Sequence, residues 1–301
     1  MKMKKVFGID IGGTNIKFGL VDGKGNLSEK YKHPTANLVA DGNCVRNFIT
    51  ILKGQLKRFP EVKKIGIGVP GLISKDRNSI VFAPNIPDLT GIELVSILKK
   101  EFPGKVFSMD TDANAAALGE YKFAKKYVEV NLLMITLGTG VGGGAIIDGE
   151  IFKGGRGNSL EIGHIYGGKG CSIEEEIGKK GIVKKAKKLL IEYPNSVLNS
   201  KKSLDAKKVA KAALAGDPVG IKVFEHVGKY LGQCIISGIR ILDIHTIVIG
   251  GGVSETFDII EPSMMKIIND KLGPYYTNDL IIKKASLGNE AGILGAASLV
   301  M

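Results

Sequence analysis

The chain has little sulfur and no tryptophan. Its 301 residues include only three cysteines, Cys44, Cys171 and Cys234, which are scattered along the sequence. So few cysteines argue against a disulfide framework and fit a reducing compartment, so we expect a cytoplasmic location. Aromatic residues amount to 6% of the chain, which leaves few rings to stack on nucleic-acid bases.

Long apolar runs are also missing. No stretch approaches the roughly 18 apolar residues of a membrane helix, and we expect no membrane partner. The basic N-terminal segment meets Asp10 and two glycines before an apolar core of signal-peptide length can form. Charged residues make up 24% of the chain, close to the globular average, so disorder is not indicated.

Positive charge is in excess, with a formal net charge of +12. Much of the excess lies in lysine runs such as residues 179–188 (KKGIVKKAKK), which have little aromatic content. We interpret these runs as solvated surface rather than as a phosphate or nucleic-acid interface. We therefore expect no nucleic-acid partner.

Glycine is abundant, with 41 residues, and it clusters between predicted strands. Two parts of the chain share the order strand, glycine turn, strand: residues 6–10, 12–13 and 16–21, and residues 132–137, 138–144 and 145–147. Helices are predicted over residues 43–57, 113–121, 203–242 and 290–299. The repeated order predicts an internally duplicated α/β fold with a ligand cleft between its halves.

Several familiar motifs fail on context. Residues 66–71 and 138–143 both satisfy G-x-G-x-x-G, but neither is followed by a predicted helix, which a dinucleotide site requires. No G-x-x-x-x-G-K-[ST] sequence is present, which argues against a P-loop. Residues 110–114 resemble the head of a calcium loop, yet the required glycine and glutamate are Ala115 and Tyr121.

The segment DIGGTNIK, which begins at Asp10, is more specific. Gly12 and Gly13 lack Cβ atoms and so let backbone N–H groups approach an anion closely. Thr14 can donate to a phosphate oxygen, and the Asp10 carboxylate can hold Mg²⁺ through water. A second loop, residues 138–142, would close over the phosphates, and the glycines at 250–252 would leave room for adenine or ribose.

These segments resemble the ROK family of sugar kinases and sugar-responsive repressors over almost the whole chain. The resemblance lies in GIDIGGTNIKFGLVD, GVPGLI, FAPNIP, DTDANAAALGEY, LGTGVGGGAIIDGEIFKGG, EIGH, IVIGGGVS and LGNEAGILGAA. It implies a duplicated ribonuclease-H-like fold of the hexokinase/actin-like ATPase type, with two lobes around a cleft. We expect a small lobe of residues 1–114 and 288–301, and a large lobe of residues 115–287.

The resemblance also implies ATP and Mg²⁺ as cofactors, a sugar substrate, and a homodimer or homotetramer. It places the catalytic aspartate at Asp112. Residues expected to bind the sugar are Gly71, Asn85, Thr111, Asp112, Glu161, His164 and Glu174. Residues expected to bind the nucleotide are Asp10, Gly12, Gly13, Thr14, Asn15, Lys17, Thr139, Gly140, Gly250, Gly251 and Gly252.

Chemistry supports Asp112 independently, because phosphoryl transfer to an alcohol needs a carboxylate within hydrogen-bond reach of the hydroxyl. Asp110 is the competitor, and either residue could instead cap the following helix. Thr111 stands where the family has asparagine, and Leu160 where it has glycine before Glu161. Many family members hold zinc with the E-I-G-H histidine and three cysteines. Only Cys171 follows His164 here, so we expect no structural zinc.

The leading hypothesis is therefore an ATP-dependent hexose kinase with glucose as substrate. An N-acetylhexosamine, allose or fructose kinase is the alternative, and a non-catalytic sugar sensor is a remoter one. A DNA-binding repressor would need a helix-turn-helix segment before the sugar-binding domain. The first glycine turn begins almost at the first residue, so we expect no such segment.

Overall fold

The structure is a computed structural model that describes residues 5–124, 131–168, 170–201 and 203–301. Residues 1–4 and 125–130, which the expected lobes include, lie outside the described residues. The strands are β1 (Val6–Ile11), β2 (Asn15–Val21), β3 (Leu27–Pro34), β4 (Lys64–Val69), β5 (Leu72–Ile73), β6 (Ile80–Phe82), β7 (Val106–Thr111), β8 (Leu132–Leu137), β9 (Val141–Ile147), β10 (Glu150–Ile151), β11 (Tyr166–Gly168), β12 (Cys171–Ser172), β13 (Thr246–Gly250) and β14 (Ile281–Lys284).

The helices are α1 (Ala36–Val39), α2 (Cys44–Arg58), α3 (Leu94–Glu101), α4 (Asp112–Phe123), α5 (Ile173–Ile177), α6 (Lys179–Leu189), α7 (Ala206–Leu214), α8 (Pro218–Leu242), α9 (Phe257–Lys271), α10 (Pro274–Thr277) and α11 (Ala291–Ser298). The helix predicted over 203–242 is thus two helices. Gly216 separates them with a φ of 86°, a left-handed value that favours glycine. The Asp217 carboxylate then caps α8 by accepting the N–H groups of Val219 and Gly220.

Two five-stranded sheets share one strand order. The first runs β3-β2-β1-β4-β7, in which β1, β2 and β3 are antiparallel neighbours and β1, β4 and β7 are parallel. The second runs β10-β9-β8-β13-β14, with β9 and β10 antiparallel and β8, β13 and β14 parallel. Each sheet therefore combines a meander with two added parallel strands, and this matches the duplication predicted from the glycine turns.

The predicted turn over 138–144 was too long, because β9 already begins at Val141. Glycines at 142–144 weaken intrinsic strand preference, but the strand is held in a sheet between β8 and β10. Gly144 has a packing reason as well, since a Cβ there would lie 2.7 Å from the Ala113 carbonyl oxygen in α4. The small residue lets α4 approach the strand closely.

By Cα proximity the chain divides into two compact units. The first unit comprises residues 1–130, 144–159 and 289–301, and the second comprises 131–143 and 160–288. Helix α4 therefore stays with the first unit, whereas the expected lobe boundary at 114 would divide it. The boundary of the functional lobes stays a prediction.

The first unit has its core between the first sheet and helices α2 and α3. Helix α2 buries Cys44, Phe48, Leu52 and Leu56, a spacing of four that puts one apolar face toward the core. Sheet residues such as Phe7, Ile9 and Phe18 are fully buried in the same cluster. This packed layer holds the ends of β1, β4 and β7, and the predicted site residues follow these ends.

In the second unit, α8 buries a residue at every turn of one face, from Val219 through Val223, Val227 and Leu231. It packs against α9 at a small residue, since a Cβ at Gly228 would lie 2.4 Å from the Ile260 carbonyl oxygen.

Candidate active site

In the first unit, the turn between β1 and β2 is held from one side by Thr35. The Gly12 N–H donates to the Asn15 carbonyl at 3.0 Å, which closes the turn. The Thr35 hydroxyl donates to the Gly12 carbonyl at 2.6 Å, and its N–H donates to the Thr14 carbonyl at 3.0 Å. Thr35 is buried, whereas Gly13 and Thr14 are exposed. No sequence pattern pointed to Thr35, because it lies about 20 residues beyond the turn in a segment without a motif.

Asp10 lies at the end of β1, directly across from Lys17 on β2. The Lys17 Nζ donates to Asp10 Oδ2 at 2.8 Å. Gly292 of α11 lies against the same carboxylate, because a Cβ at Gly292 would come within 2.7 Å of Asp10 Oδ2. Carboxylate oxygens suit Mg²⁺, and Oδ1 is not the oxygen that Lys17 engages. Together with the exposed turn beside it, Asp10 fits a hydrated cation bound to phosphate.

Asn85 lies beside this turn. A Cβ built on Gly13 would be 3.3 Å from the Asn85 Cβ, so a residue predicted for the nucleotide and one predicted for the sugar are neighbours. Gly71 has a structural reason of its own: its φ is 97°, and a Cβ there would lie 2.1 Å from the Phe82 carbonyl oxygen. The turn that leads into β5 therefore requires glycine whatever binds nearby.

The two candidate bases, Asp110 and Asp112, have very different surroundings. Asp110 is buried, and its Oδ1 accepts the Thr111 N–H at 2.8 Å and the Asn114 Nδ2 at 2.9 Å. Its Oδ2 lies 3.4 Å from Arg77 Nε. Asp112 is exposed at the first turn of α4, where its Oδ1 accepts the Ala113 N–H at 2.8 Å. Asp110 thus holds the start of α4 in place, while Asp112 faces solvent.

Thr111 is the N-cap of α4, and its hydroxyl accepts the Asn114 N–H at 3.3 Å. The role of helix cap, which the sequence left open for Asp110 or Asp112, therefore belongs to Thr111. Thr111 is buried, and the hydrogen bond observed for its hydroxyl is the one that caps the helix.

In the second unit, the loop over residues 138–142 is tied to helices α5 and α6. The Val141 N–H donates to Glu174 Oε2 at 2.9 Å. The same carboxylate lies against Gly140, where an added Cβ would come within 2.1 Å of Oε2. Lys179, at the start of α6, contacts Thr139 through both its backbone and its side chain. The loop is therefore anchored on both sides of Gly140.

In the same unit, Glu161 precedes a short 3-10 turn, Ile162–His164, and His164 ends it. His164 Nε2 lies 3.8 Å from Glu161 Oε2, and both side chains are about half exposed or more. Partial burial raises the pKa of the Glu161 carboxyl, His164 opposes this rise and the Glu174 charge adds to it. Glu161 and His164, two residues of this unit predicted to hold sugar hydroxyls, are thus neighbours, and the third, Glu174, lies close enough to act on the Glu161 carboxyl.

Leu160, which precedes Glu161, has a φ of 64°. This left-handed conformation is unfavourable for a leucine and natural for a glycine. The backbone therefore keeps a glycine-like conformation here although the residue is leucine.

The glycines at 250–252, which begin at the last residue of β13, divide into two groups. A Cβ at Gly250 would lie 2.5 Å from Met134 Cε, and one at Gly251, whose φ is 83°, would lie 2.2 Å from the Leu137 carbonyl oxygen. Gly252 meets nothing within 4 Å. The first two glycines are explained by packing and backbone conformation, and Gly252 leaves open space of the kind a nucleotide could fill.

Cys171 lies in a two-stranded hairpin formed by β11 and β12, in which it pairs with Gly168. Across the described ranges, no group of three or more histidine, cysteine, aspartate or glutamate side chains is placed to hold a metal ion. The absence of zinc itself stays a prediction. Also within these ranges, no helix has both the length and the apolar character needed to cross a membrane.

Comparison with known proteins assigns the class. A 33% identical glucokinase from Halalkalibacterium halodurans aligns with 97% of the chain and 94% of its own length. A Cytophaga hutchinsonii structure assigned as a sugar kinase is 37% identical with a TM-score of 0.89, covering 98% of this chain and 99% of the other. A Streptomyces griseus ROK-family glucokinase, solved with glucose and AMPPNP, is 29% identical with a TM-score of 0.85 and the same coverage.

The chain thus has the hexokinase-like, actin-like ATPase fold that the family resemblance implied. It belongs to the ROK family, whose model matches residues 6–301.

Proposed function

We propose that the chain is an ATP-dependent kinase that phosphorylates a hydroxyl of a hexose, with glucose as its substrate. The observation that carries this proposal is the contrast between the two aspartates at the start of α4. Asp110 is buried in hydrogen bonds that hold the helix start, and Asp112 is exposed beside it. The family match and the glucokinases among its relatives support the same reaction.

Asp112 is the proposed base. Its carboxylate accepts the proton of the attacking hydroxyl as the oxygen bonds to the γ-phosphorus, and the bond to the β-phosphate bridging oxygen breaks. Helix α4 fixes the Asp112 backbone, because Thr111 caps the helix and Asp110 binds the side chain of Asn114. The rigid start of α4 keeps the Asp112 carboxylate in one place.

The proposed phosphate-binding groups of the first unit are Gly12, Gly13 and Thr14, whose exposed turn presents backbone N–H groups and a hydroxyl. Asn15 and Lys17 extend this set along β2. Mg²⁺, when bound, neutralises phosphate charge, and Asp10 is the residue that would hold it.

In the second unit, Thr139, Gly140 and the glycines at 250–252 are the proposed nucleotide contacts. Of the latter, only Gly252 has open space beside it.

The proposed sugar-binding residues are Gly71, Asn85 and Thr111 in the first unit, and Glu161, His164 and Glu174 in the second. Ionised carboxylates accept hydrogen bonds from hydroxyls, and an amide or imidazole can both donate and accept. Such a mixed set matches the alternating donors and acceptors of a hexose.

The test is ADP release with Mg-ATP over a panel of glucose, fructose, allose, N-acetylglucosamine and N-acetylmannosamine. The variants are wild type, Asp112→Ala and, as a matched control, Asp270→Ala, which removes an exposed carboxylate from α9. We expect glucose to give the highest kcat/KM, and Asp112→Ala to lower kcat by about 10²- to 10⁴-fold. Asp270→Ala should behave as wild type.

Each part of the proposal can fail separately. No sugar-dependent ADP from any substrate would overturn the kinase, and sugar binding without turnover would identify a sensor. A higher kcat/KM for another sugar would overturn glucose. Wild-type turnover in Asp112→Ala would overturn the assignment of the base.

We also propose a homodimer or homotetramer in the cytoplasm. Light scattering on a sizing column checks the assembly, with masses near two or four times the 32.1 kDa of one chain expected.

A further inference from the structure

Lys179, the first residue of α6, makes two contacts with Thr139 of the 138–142 loop. Its backbone N–H donates to the Thr139 carbonyl at 3.3 Å. Its side-chain Nζ donates to the Thr139 hydroxyl at 3.1 Å. The first contact fixes the Cα position and the second the end of the side chain, so the ammonium group is held at the loop.

The corner between α5 and α6 is built for this close approach. A Cβ on Gly178 would lie 2.7 Å from the Glu174 carbonyl oxygen and 3.3 Å from the Thr139 carbonyl oxygen. Glycine at this position therefore lets the start of α6 lie directly against the loop. Lys179 is half-buried there, whereas the following residue, Lys180, is exposed.

Helix stability does not explain a lysine at this position. The N-terminal end of a helix carries partial positive charge, which disfavours cations and favours anions. Helix α6 has no acidic residue in its first turn and no side-chain cap. Among the described residues, no carboxylate oxygen lies within 4.0 Å of the Lys179 Nζ to form an ion pair. A positively charged group is therefore held at a loop without an acidic partner of its own.

The loop also has a negative neighbour. The Glu174 carboxylate lies against Gly140 and accepts the Val141 N–H. A phosphate bound at the loop would be repelled by this carboxylate unless a cation lies close to it. Lys179 supplies a cation on the other side, at the Thr139 hydroxyl.

We propose that Lys179 is a phosphate-binding residue of the nucleotide site, and that its ammonium group binds the phosphates of ATP together with the Thr139 hydroxyl. An ammonium group has three donors, and its contact with Thr139 uses one of them. This inference rests on the proposed kinase function. It departs from our interpretation of residues 179–188 as solvated surface at Lys179 alone.

The experiment compares Lys179→Met with Lys180→Met. Both changes remove one positive charge from the same end of α6, but only Lys179 contacts the loop. Calorimetric titration with ATP, ADP and adenosine separates phosphate contacts from base and ribose contacts, and steady-state kinetics give KM for ATP and for the sugar.

For Lys179→Met we expect affinity for ATP and ADP to fall by about 10- to 100-fold, because a hydrogen bond to a charged group is lost. Adenosine affinity and the sugar KM should stay within twofold of wild type. Lys180→Met should match wild type for every ligand. Lys179→Arg, which keeps a cation and its donors, should recover most of the ATP affinity.

Equal ATP and ADP affinity in Lys179→Met and Lys180→Met would overturn the inference while leaving the kinase function intact. An equal loss for adenosine would also overturn it, because that result indicates a structural role. If wild type gives no sugar-dependent ADP, the proposed function fails, and the nucleotide titrations still test Lys179. Urea unfolding midpoints show whether Lys179→Met folds. If it does not, the nucleotide titrations compare Lys179→Arg with Thr139→Val instead.

Discussion

Helix α11 packs against α4 through a glycine that leaves no room for a methyl group, and this contact sets the position of the proposed base. A Cβ at Gly295 would lie 1.7 Å from the Ala115 carbonyl oxygen, half of the 3.4 Å at which ordinary contact begins. Ala115 is one turn beyond Asp112 in α4. The Gly295→Ala change must therefore move one of the two helices by more than 1 Å.

Overpacking of this kind costs about 1–3 kcal/mol of unfolding free energy. A displacement of about 1 Å at a catalytic group can lower the rate on the order of 10²-fold. We therefore expect Gly295→Ala to lower both the urea midpoint and kcat for glucose. Gly54→Ala is the matched control, because Gly54 is exposed inside α2 and meets nothing within 4 Å. Alanine in an exposed helix interior should stabilise the protein by about 0.5–1 kcal/mol.

Urea unfolding followed by circular dichroism measures the first quantity, and coupled ADP release measures the second. Opposite shifts of the two midpoints are the expected result. An unchanged midpoint and kcat in Gly295→Ala would refute the argument that this contact is closely packed and positions Asp112.

Three further outcomes are expected. Replacing Thr35 by valine leaves the half-buried Gly12 carbonyl without its hydroxyl donor, so the unfolding free energy should fall by about 1 kcal/mol and the KM for ATP should rise. Although burial opposes it, hydrogen bonds from backbone N–H groups and a serine lower the pKa of Asp217. The stabilisation of the folded protein by ionised Asp217 should thus be complete above pH 3.8 and be lost as the pH falls through the lowered pKa. The urea midpoints of wild type and Asp217→Asn should therefore converge in acid. Burial raises the pKa of Cys44 to about 11 and that of Cys234 to about 12, so a thiol reagent at pH 8 should modify at most Cys171 before unfolding and all three thiols after it.

Much of the fold follows from local sequence. Apolar runs beside glycine turns placed β1, β2 and β8 within a residue of their observed bounds. The glycine-rich segment after β8 was harder, because glycine is common both in turns and where another backbone approaches a strand closely. The close approach of α4 explains why a residue inside this strand, Gly144, is glycine.

The residues of the candidate site likewise fall into those that local sequence could predict and those that it could not. Asp112 could be predicted because a carboxylate at a strand-to-helix junction matches both the chemistry and the family motif. Thr35 and Lys179 could not, since each acts through a contact with a loop that is 20 or more residues away in sequence. The different roles of Gly251 and Gly252 likewise depend on a distant strand, β8.

The Glu174 carboxylate has a consequence for how the ligands influence each other. One of its oxygens accepts the Val141 N–H in the loop proposed to bind phosphate, and the same side chain is a proposed ligand of the sugar. A hexose that binds Glu174 must change the restraint on that loop, so the two binding equilibria are thermodynamically linked. By reciprocity, glucose should change the affinity for ATP by the same factor by which ATP changes the affinity for glucose.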